Sequence, residues 1–388
     1  MAEKDYRPHE VCLEVGLLGF MRQVGQPGLI NLAAGVPAAE LLPVEGLKRA
    51  FRKATQELGR GMWVYQTPEG HGPLRETLAH RLRGRGVKLA GSDVLITTGC
   101  TQALHLAIRA VAGPGDVVAC ESPCYYNTLE QIAGVGARAL PLPMSRERGL
   151  WLEEAEVLLK RHRPKAMVLC STLSNPSGAS IAPRDRRKWV EMARRLGVTI
   201  IEDDIYAELS DGRAPKPLRA YDDGSTVLYV TSYCKSVSPG LRVGCAVPGR
   251  WFESMVAMKC QADLHGSLLS EATLDAFLKS PDMEKHGERL KEVCRRKRAK
   301  ARGVMEACFP EGTEISRSEG GFMLWVELPE RRDLKAVSEK ALRRGVSFAR
   351  GEVFSCVAPQ RSGMRINCAK VTEEELVRGL EILGECLA

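Results

Sequence analysis

The chain has 388 residues, more than one hydrophobic core usually spans, since single cores rarely grow past ~250–300 residues. Hydrophobic residues make up 44% and charged residues 27%, which excludes a disordered or fibrous chain and leaves an ordinary globular protein. The net charge of +8 is spread over many residues, so it suits anionic small molecules and makes no case for nucleic acid.

The opening MAEKDYRPHE has no apolar core and does not read as a signal peptide. An arm (10–24) follows, with the glycine- and leucine-rich stretch EVGLLGFM. From residue 94 onward, short apolar runs alternate with helix-length segments. The expected strands are 94–98, 117–120, 137–142, 166–170, 198–202, 227–231 and 243–247. Runs this short and continuously apolar suit strands covered on both faces. Expected helices include 101–113 and 182–197, the latter with Pro183 in its first turn and Gly197 as its stop. The alternation predicts an open α/β doubly wound sheet with ligands at the carboxyl ends of strands. After about residue 265 the pattern shifts to longer helices with a few strands, such as GFMLWVEL (321–328). We therefore expect a large domain over 46–265 and a smaller α+β domain over 266–388, which residues 1–45 partly join.

No apolar run approaches the ~18 residues of a membrane span. Thirteen cysteines lie scattered, the closest pair being Cys120 and Cys124, with no CxxC. That pattern predicts reduced, mostly buried thiols, no metal framework and a cytoplasmic protein. GVGARA (134–139) matches a dinucleotide fingerprint but leads into a strand instead of a helix, so its glycines read as helix termination. The basic run RRKRAK (295–300) reads as a solvated helix face.

Four further signals fall at the ends of expected strands. TGCTQAL (98–104) runs from a strand into a helix, whose N-terminus suits a phosphate; alone it is also a plain strand-to-helix turn. SNPSG (174–178) has the residues of a turn. EDDIYAEL (202–209) puts adjacent acids at a buried strand's end, for a ligand or a helix cap. TSYCKSVSPGLRVG (231–244) places Lys235 four residues past a strand and Arg242 seven further on. An exposed lysine is the default. A Schiff-base lysine instead needs burial and neighbouring cations to shed its proton.

Together, and in this order, NPSG, DDIY and SYCKSVSPGLRVG resemble the class I and II aminotransferases, pyridoxal-phosphate enzymes of fold type I. The nearest likeness is to the 2-aminoadipate and aromatic (kynurenine) aminotransferase branch, and it runs from INLAAG (30–35) to MRINCA (364–369). The resemblance implies a mostly parallel seven-stranded sheet and a smaller α+β domain. It implies pyridoxal 5′-phosphate held by Lys235 as a Schiff base, with Lys235 also moving a proton. It gives Asp203, rather than Asp204, to the pyridine nitrogen, because the family pattern D-x-x-Y here reads Asp203 and Tyr206. Asn175 and Tyr206 would meet the phenolic oxygen, and Tyr125 would stack on the ring, with Tyr126 its neighbouring rival. Gly99, Cys100, Thr101, Ser232 and Arg242 would hold the phosphate, joined by Tyr65 of a partner subunit, which implies a homodimer with shared sites. Arg365 would grip the substrate α-carboxylate, with Gly35 and Asn175 beside it.

Two departures stand out. Related sequences usually carry serine or glutamine where this one reads GCT, leaving Cys100 its backbone to offer. The arm has Arg22 as its one basic residue within EVGLLGFM and its flanks, which favours a neutral aromatic or aliphatic substrate over an acidic one. Elimination, decarboxylation, oxidation and condensation run on the same scaffold, and none of the residues above separates them from transamination. A regulator built on this fold would need a DNA-binding domain ahead of Ile30, where 29 residues stand. The intact lysine, aspartate and arginine set argues against an inert binding module.

Overall fold

The computed structural model describes residues 7–11, 18–19, 28–145, 149–356 and 362–388. Apart from Leu18 and Gly19, EVGLLGFM and Arg22 lie outside them.

After a short strand β1 (Ile30–Asn31), helices α1 (Val44–Leu58) and α2 (Gly72–Gly84) lead into the main sheet. Its strands are β2 (Leu95–Thr97), β3 (Val117–Ser122), β4 (Arg138–Ser145), β5 (Gly149–Leu150), β6 (Ala166–Leu169), β7 (Thr199–Asp203), β8 (Val227–Ser232) and β9 (Gly244–Val247). The spatial order is β2-β9-β8-β7-β6-β3-β4-β5. Pairs β8/β7, β7/β6, β6/β3 and β3/β4 are parallel, and β9 runs antiparallel to both neighbours. Seven strands form the sheet proper, and the two-residue β5 is a hairpin return on β4. Every residue of β6 is buried, as a strand covered on both faces requires.

Helices α3 (Gly99–Val111), α4 (Tyr126–Gly134), α5 (Leu152–His162), α6 (Arg186–Leu196) and α7 (Phe252–Asp263) belong to the two covering layers. One apolar cluster joins α3, α4 and α7 to Val118, Ile201 and Leu228. The other face packs Ala155 and Leu159 of α5 and Trp189, Val190 and Met192 of α6 against Met167 and Ile200. The α6 helix begins at Arg186, with Pro183 in the turn ahead of it, a later start than the composition suggested. Arg186 explains the delay. Its guanidinium is buried and donates to Ile181 O, Ser171 O, Thr172 Oγ1 and Lys216 O, so the turn folds back around it.

Helices α8 (Leu268–Leu278) and α9 (Pro281–Cys308) precede a four-stranded antiparallel sheet. Its strands are β10 (Glu314–Ile315), β11 (Met323–Glu327), β13 (Ala349–Arg350) and β14 (Gly363–Asn367), in the order β10-β11-β14-β13. Between them lie α10 (Leu334–Arg343) and β12 (Val346–Ser347), and α11 (Glu373–Leu387) closes the described chain on a Thr372/Glu375 capping box. Strand β1 pairs parallel with β12, so the segment after the arm docks on this second layer. Its core joins α9, α10, α11, Ile30 and Leu32.

The basic run on α9 is not wholly solvated. Lys297 and Arg298 are buried: Lys297 donates to Val371 O, and Arg298 donates to Gly321 O and to Asp211. Lys297 satisfies a carbonyl within the second layer, and Arg298 reaches from it to Asp211 on the main-sheet side, long cations serving where their stems are buried. Gly134 and Gly136 do end α4, Gly136 at φ +73°. Among the described residues no helix is long and apolar enough to cross a membrane, and their twelve cysteines are all free thiols.

Candidate active site

The carboxyl ends of β2, β3, β6, β7 and β8 open on one edge of the main sheet, and β9 begins there. Beyond β2 the chain enters α3 at Gly99, whose φ of +78° favours glycine. A Cβ at Gly99 would lie 2.8 Å from Arg242 Nη2. Across from it, a Cβ on Gly244 would come within 2.5 Å of Gly99 C and 2.8 Å of Cys100 N. These two glycines let two backbones and one guanidinium meet. Arg242 is exposed at the rim, donating to Thr98 O (3.3 Å) and contacting Cys234 Sγ (3.7 Å). Ser232 Oγ accepts the Cys234 N–H (3.4 Å), and Thr101 is exposed in the first turn of α3. Behind the turn, Asp263 Oδ2 accepts from Thr98 Oγ1 (3.0 Å) and Gln102 Nε2 (2.6 Å). A helix N-terminus beside an arginine and a glycine cradle is the equipment for a phosphate.

Successive side chains of a strand face opposite ways, which sorts Glu202, Asp203 and Asp204. Glu202 turns to one face and accepts from Ser171 Oγ (2.5 Å), Leu218 N (2.7 Å) and Arg219 N (2.9 Å). Asp204, likewise buried, accepts from Arg85 Nη1 (2.5 Å) and Tyr229 OH (3.0 Å). Asp203 turns the other way, toward α3, where Oδ1 accepts from Ile205 N (3.2 Å) and the Cys100 thiol (3.5 Å). Burial pushes the Asp203 carboxyl up to about 6, against those donors and with Asp204 adding to the rise.

Lys235 Nζ donates to Gly35 O at 2.8 Å. Burial holds its ammonium below the ordinary lysine range, and the Arg365 charge adds to the effect. Arg365, from the middle of β14, is fully buried. Nη1 donates to Asn175 Oδ1 (2.8 Å), Nη2 donates to Ala33 O, and its plane lies 5.0 Å over the Phe354 ring. The Nε–H has no partner among the described residues, an orphan donor that an anion would satisfy. Asn175 Nδ2 in turn donates to Tyr206 OH (3.2 Å). The 33–36 loop is pinned from both ends, by Asn31 Oδ1 accepting Ala33 and Ala34 N–H, and by Asn367 Nδ2 reaching Ala34 O and Val36 O.

Of the residues named from sequence, Gly35, Lys235, Arg365, Asn175 and Tyr206 form one group. Hydrogen bonds join Lys235 to Gly35 and run from Arg365 through Asn175 to Tyr206, and a Cβ on Gly35 would stand 3.9 Å from the Arg365 fork. Gly99, Cys100, Asp203, Ser232 and Arg242 line the strand ends next to them. Tyr125 caps α4 half-buried, its ring 4.6 Å from that of Tyr126, which is buried 5.7 Å from Phe354. Tyr65 stands apart, 82% exposed, with the edge of His265 5.5 Å away. Sequence reasoning left Gly244, Asp263 and Phe354 unassigned. A glycine opening a strand was a readable sign for the first. The other two reach the site only through the fold. The set fits pyridoxal phosphate: an anion cradle, a buried acid for a ring nitrogen and a lysine that sheds its proton readily.

The chain is similar to known proteins over nearly its whole length. The family description "Aminotransferase class I and II" matches residues 27–383. An uncharacterised HTH-type transcriptional regulator of Escherichia coli, YjiR, is 30% identical over 98% of this chain and 81% of its own length. The 2-aminoadipate transaminase of Thermus thermophilus is 32% identical, covering 95% of this chain and 92% of that protein. Two crystal structures superpose closely. LysN, the alpha-aminoadipate aminotransferase of Thermus thermophilus in complex with N-(5′-phosphopyridoxyl)-L-leucine, gives a TM-score of 0.86, and the kynurenine aminotransferase of Pyrococcus horikoshii with PMP gives 0.88. They are 30% and 28% identical to this chain, covering 93% and 97% of it and 92% and 95% of their own chains.

Gly244→Ala tests the cradle. Its Cβ would push the Gly99–Cys100 backbone out of place, so cofactor affinity should fall at least about tenfold, the equivalent of ~1.4 kcal/mol. Fluorescence titration of the apo-protein with pyridoxal 5′-phosphate reads this directly, and wild-type affinity would show that the close approach does not shape the site.

Proposed function

The chain belongs to the class I and II aminotransferases, pyridoxal 5′-phosphate enzymes that exchange an amino group between an amino acid and a 2-oxo acid, and from that premise we propose how its residues share the work. When bound, the cofactor supplies the electron sink for the bond broken at the substrate's α-carbon. Lys235 anchors the cofactor and afterwards carries the proton at that carbon. Its depressed basicity suits both tasks, and Gly35 O aims its amine. Asp203 keeps the ring nitrogen protonated, and Asn175 and Tyr206 meet the phenolic oxygen while Tyr125 covers the ring. Gly99, Cys100, Thr101, Ser232 and Arg242 take the phosphate. Arg365 takes the substrate carboxylate, with Asn175 and Gly35 beside it. The observation that carries this assignment is the hydrogen-bonded line from Arg365 through Asn175 to Tyr206, which supports reading a carboxylate clamp beside the ring contacts.

The side chain accepted is neutral, aromatic or aliphatic. The apolar composition of the arm supports this, as do the aromatic wall of Tyr126, Trp325 and Phe354 and the leucine adduct held by the Thermus enzyme. The working form is a homodimer with shared sites, and Tyr65 reaches the partner's phosphate. Trp63, Val64 and Tyr65 are 81%, 63% and 82% exposed in one copy, an apolar stretch that a second copy would cover. The free thiols support a cytoplasmic location. We divide the chain into an arm and part of the small domain (1–45), a large domain (46–265) and a small domain (266–388). The two separate sheets and the β1–β12 pairing support that division.

Mixing the yellow holoenzyme with single amino acids tests the reaction. Neutral amino acids should convert its absorbance to that of the pyridoxamine form, with the matching 2-oxo acid released. Ammonia, carbon dioxide or peroxide without that conversion would mean a different pyridoxal-phosphate reaction. Borohydride reduction followed by peptide mapping should find the label on Lys235; a label on any other lysine ends its assignment. Arg365→Ala removes a charge-assisted fork worth about 1.5–3 kcal/mol, so KM should rise roughly ten- to a hundredfold for every amino acid. A rise confined to acidic amino acids would make Arg365 a side-chain reader instead.

A further inference from the structure

One buried acid at the carboxyl edge of the main sheet has no place in the account above. Glu121 opens the stretch ESPCYY at the end of β3 and is 3% exposed. Among the described residues no cation pairs with it. Both its oxygens are nevertheless used: Oε1 accepts the Cys170 N–H at 2.9 Å, and Oε2 meets the Ser174 hydroxyl in a short contact. Those two partners bracket the 170–174 stretch beyond β6, and the next residue is Asn175. A buried carboxyl whose two oxygens both bond one loop is a fastening, because leaving either partner unsatisfied inside the protein is costly.

We propose that Glu121 is a positioning residue for the substrate-carboxylate site. It clasps the 170–174 loop to the end of β3 and so holds Asn175 in register with Arg365 and Tyr206. The proposal rests on the reading of Arg365 and Asn175 as that site. The groups facing Glu121 are Asp203 from β7, Cys170 beyond β6, and Cys120 and Cys124 on its own segment. Burial pushes its carboxyl up to about 8, with the Asp203 charge adding, so at neutral pH it keeps its proton. All three thiols stay protonated: a hydrogen bond with Cys124 and then burial raise Cys120, burial raises Cys170, and burial raises Cys124 against the hydrogen bond with Cys120. Protonated, Glu121 has the hydrogen-bonding pattern of a glutamine, accepting through one atom and donating through the other.

The experiment compares Glu121→Gln, Glu121→Ala and Ser174→Ala holoenzymes in the half-reaction with several amino acids. Glu121→Ala and Ser174→Ala should raise KM about tenfold for all of them, as loss of a buried hydrogen bond predicts, and should weaken cofactor binding less, since Asn175 also meets the phenolic oxygen. Glu121→Gln should restore the wild-type KM. Thermal unfolding gives a second readout. The folded carboxyl titrates near 8 and an unfolded one near the ordinary 4.5, so wild-type stability falls as pH rises between them. The glutamine variant escapes that fall, and its Tm advantage should grow from about pH 5 to about pH 9. Unchanged KM in Ser174→Ala and in a folded Glu121→Ala overturns the proposal, as does a glutamine variant no better than alanine. If Glu121→Ala does not fold, Ser174→Ala decides. If Arg365→Ala also leaves KM unchanged, the fault lies in the carboxylate-site reading beneath the proposal, and both fall.

Discussion

A β-strand turns neighbouring side chains to opposite faces, and at the end of β7 that alternation meets three consecutive acids. Glu202 and Asp204 are sent to one side, where backbone amides and Ser171 bond the first and Arg85 and Tyr229 bond one oxygen of the second. Asp203 goes alone to the other, toward the N-terminus of α3. Much else in the cavity follows from this sorting. The two outer acids fasten the strand end so firmly that the middle one has a fixed place. A slip of one residue would exchange their environments, putting two carboxylates in the cavity and leaving Arg85 without its partner.

The cavity is also organised by how few of its charges are neutralised locally. Asp203 and Glu121 are each driven toward the protonated state by burial, and Lys235 toward the deprotonated state. Groups held in this condition respond strongly to a charged visitor, because a new opposite charge is screened by little water. Arg365 meets the same need with geometry: a carbonyl, an amide and an aromatic face occupy its plane while Nε–H stays unclaimed.

The alternation of apolar runs and helices was enough to locate the main sheet's strands along the chain, because each strand is short, continuously apolar and bounded by polar turns. Motifs that sit on a strand end stood out equally: DDIY, NPSG and the segment around Lys235 are contiguous residues that the fold brings to one edge of the sheet. Contacts between distant segments were not. Nothing in ESPCYY announces that Glu121 clasps a loop some fifty residues later, and Phe354 under Arg365 belongs to a stretch without periodicity. The late start of α6 and the burial of Lys297 and Arg298 were missed for one reason. Each depends on a cation filling a gap between layers, where local composition reads only charge. The arm, where the substrate's side chain was to be judged, lies largely outside the described residues.

The reach of Arg365 sets an order on assembly. Its guanidinium bonds Ala33, 332 residues earlier, and Asn175, 190 residues earlier. The glycine cradle at Gly99 and Gly244 is complete once the chain has grown through β9. During synthesis on a ribosome, the half of the cavity suited to phosphate can therefore exist long before the half suited to a carboxylate, which waits for the last described strand to emerge. A nascent chain stalled between these points would hold an anchor with nothing to work on. Lys235 would be in place while Arg365, which we read as the carboxylate grip, had yet to be translated.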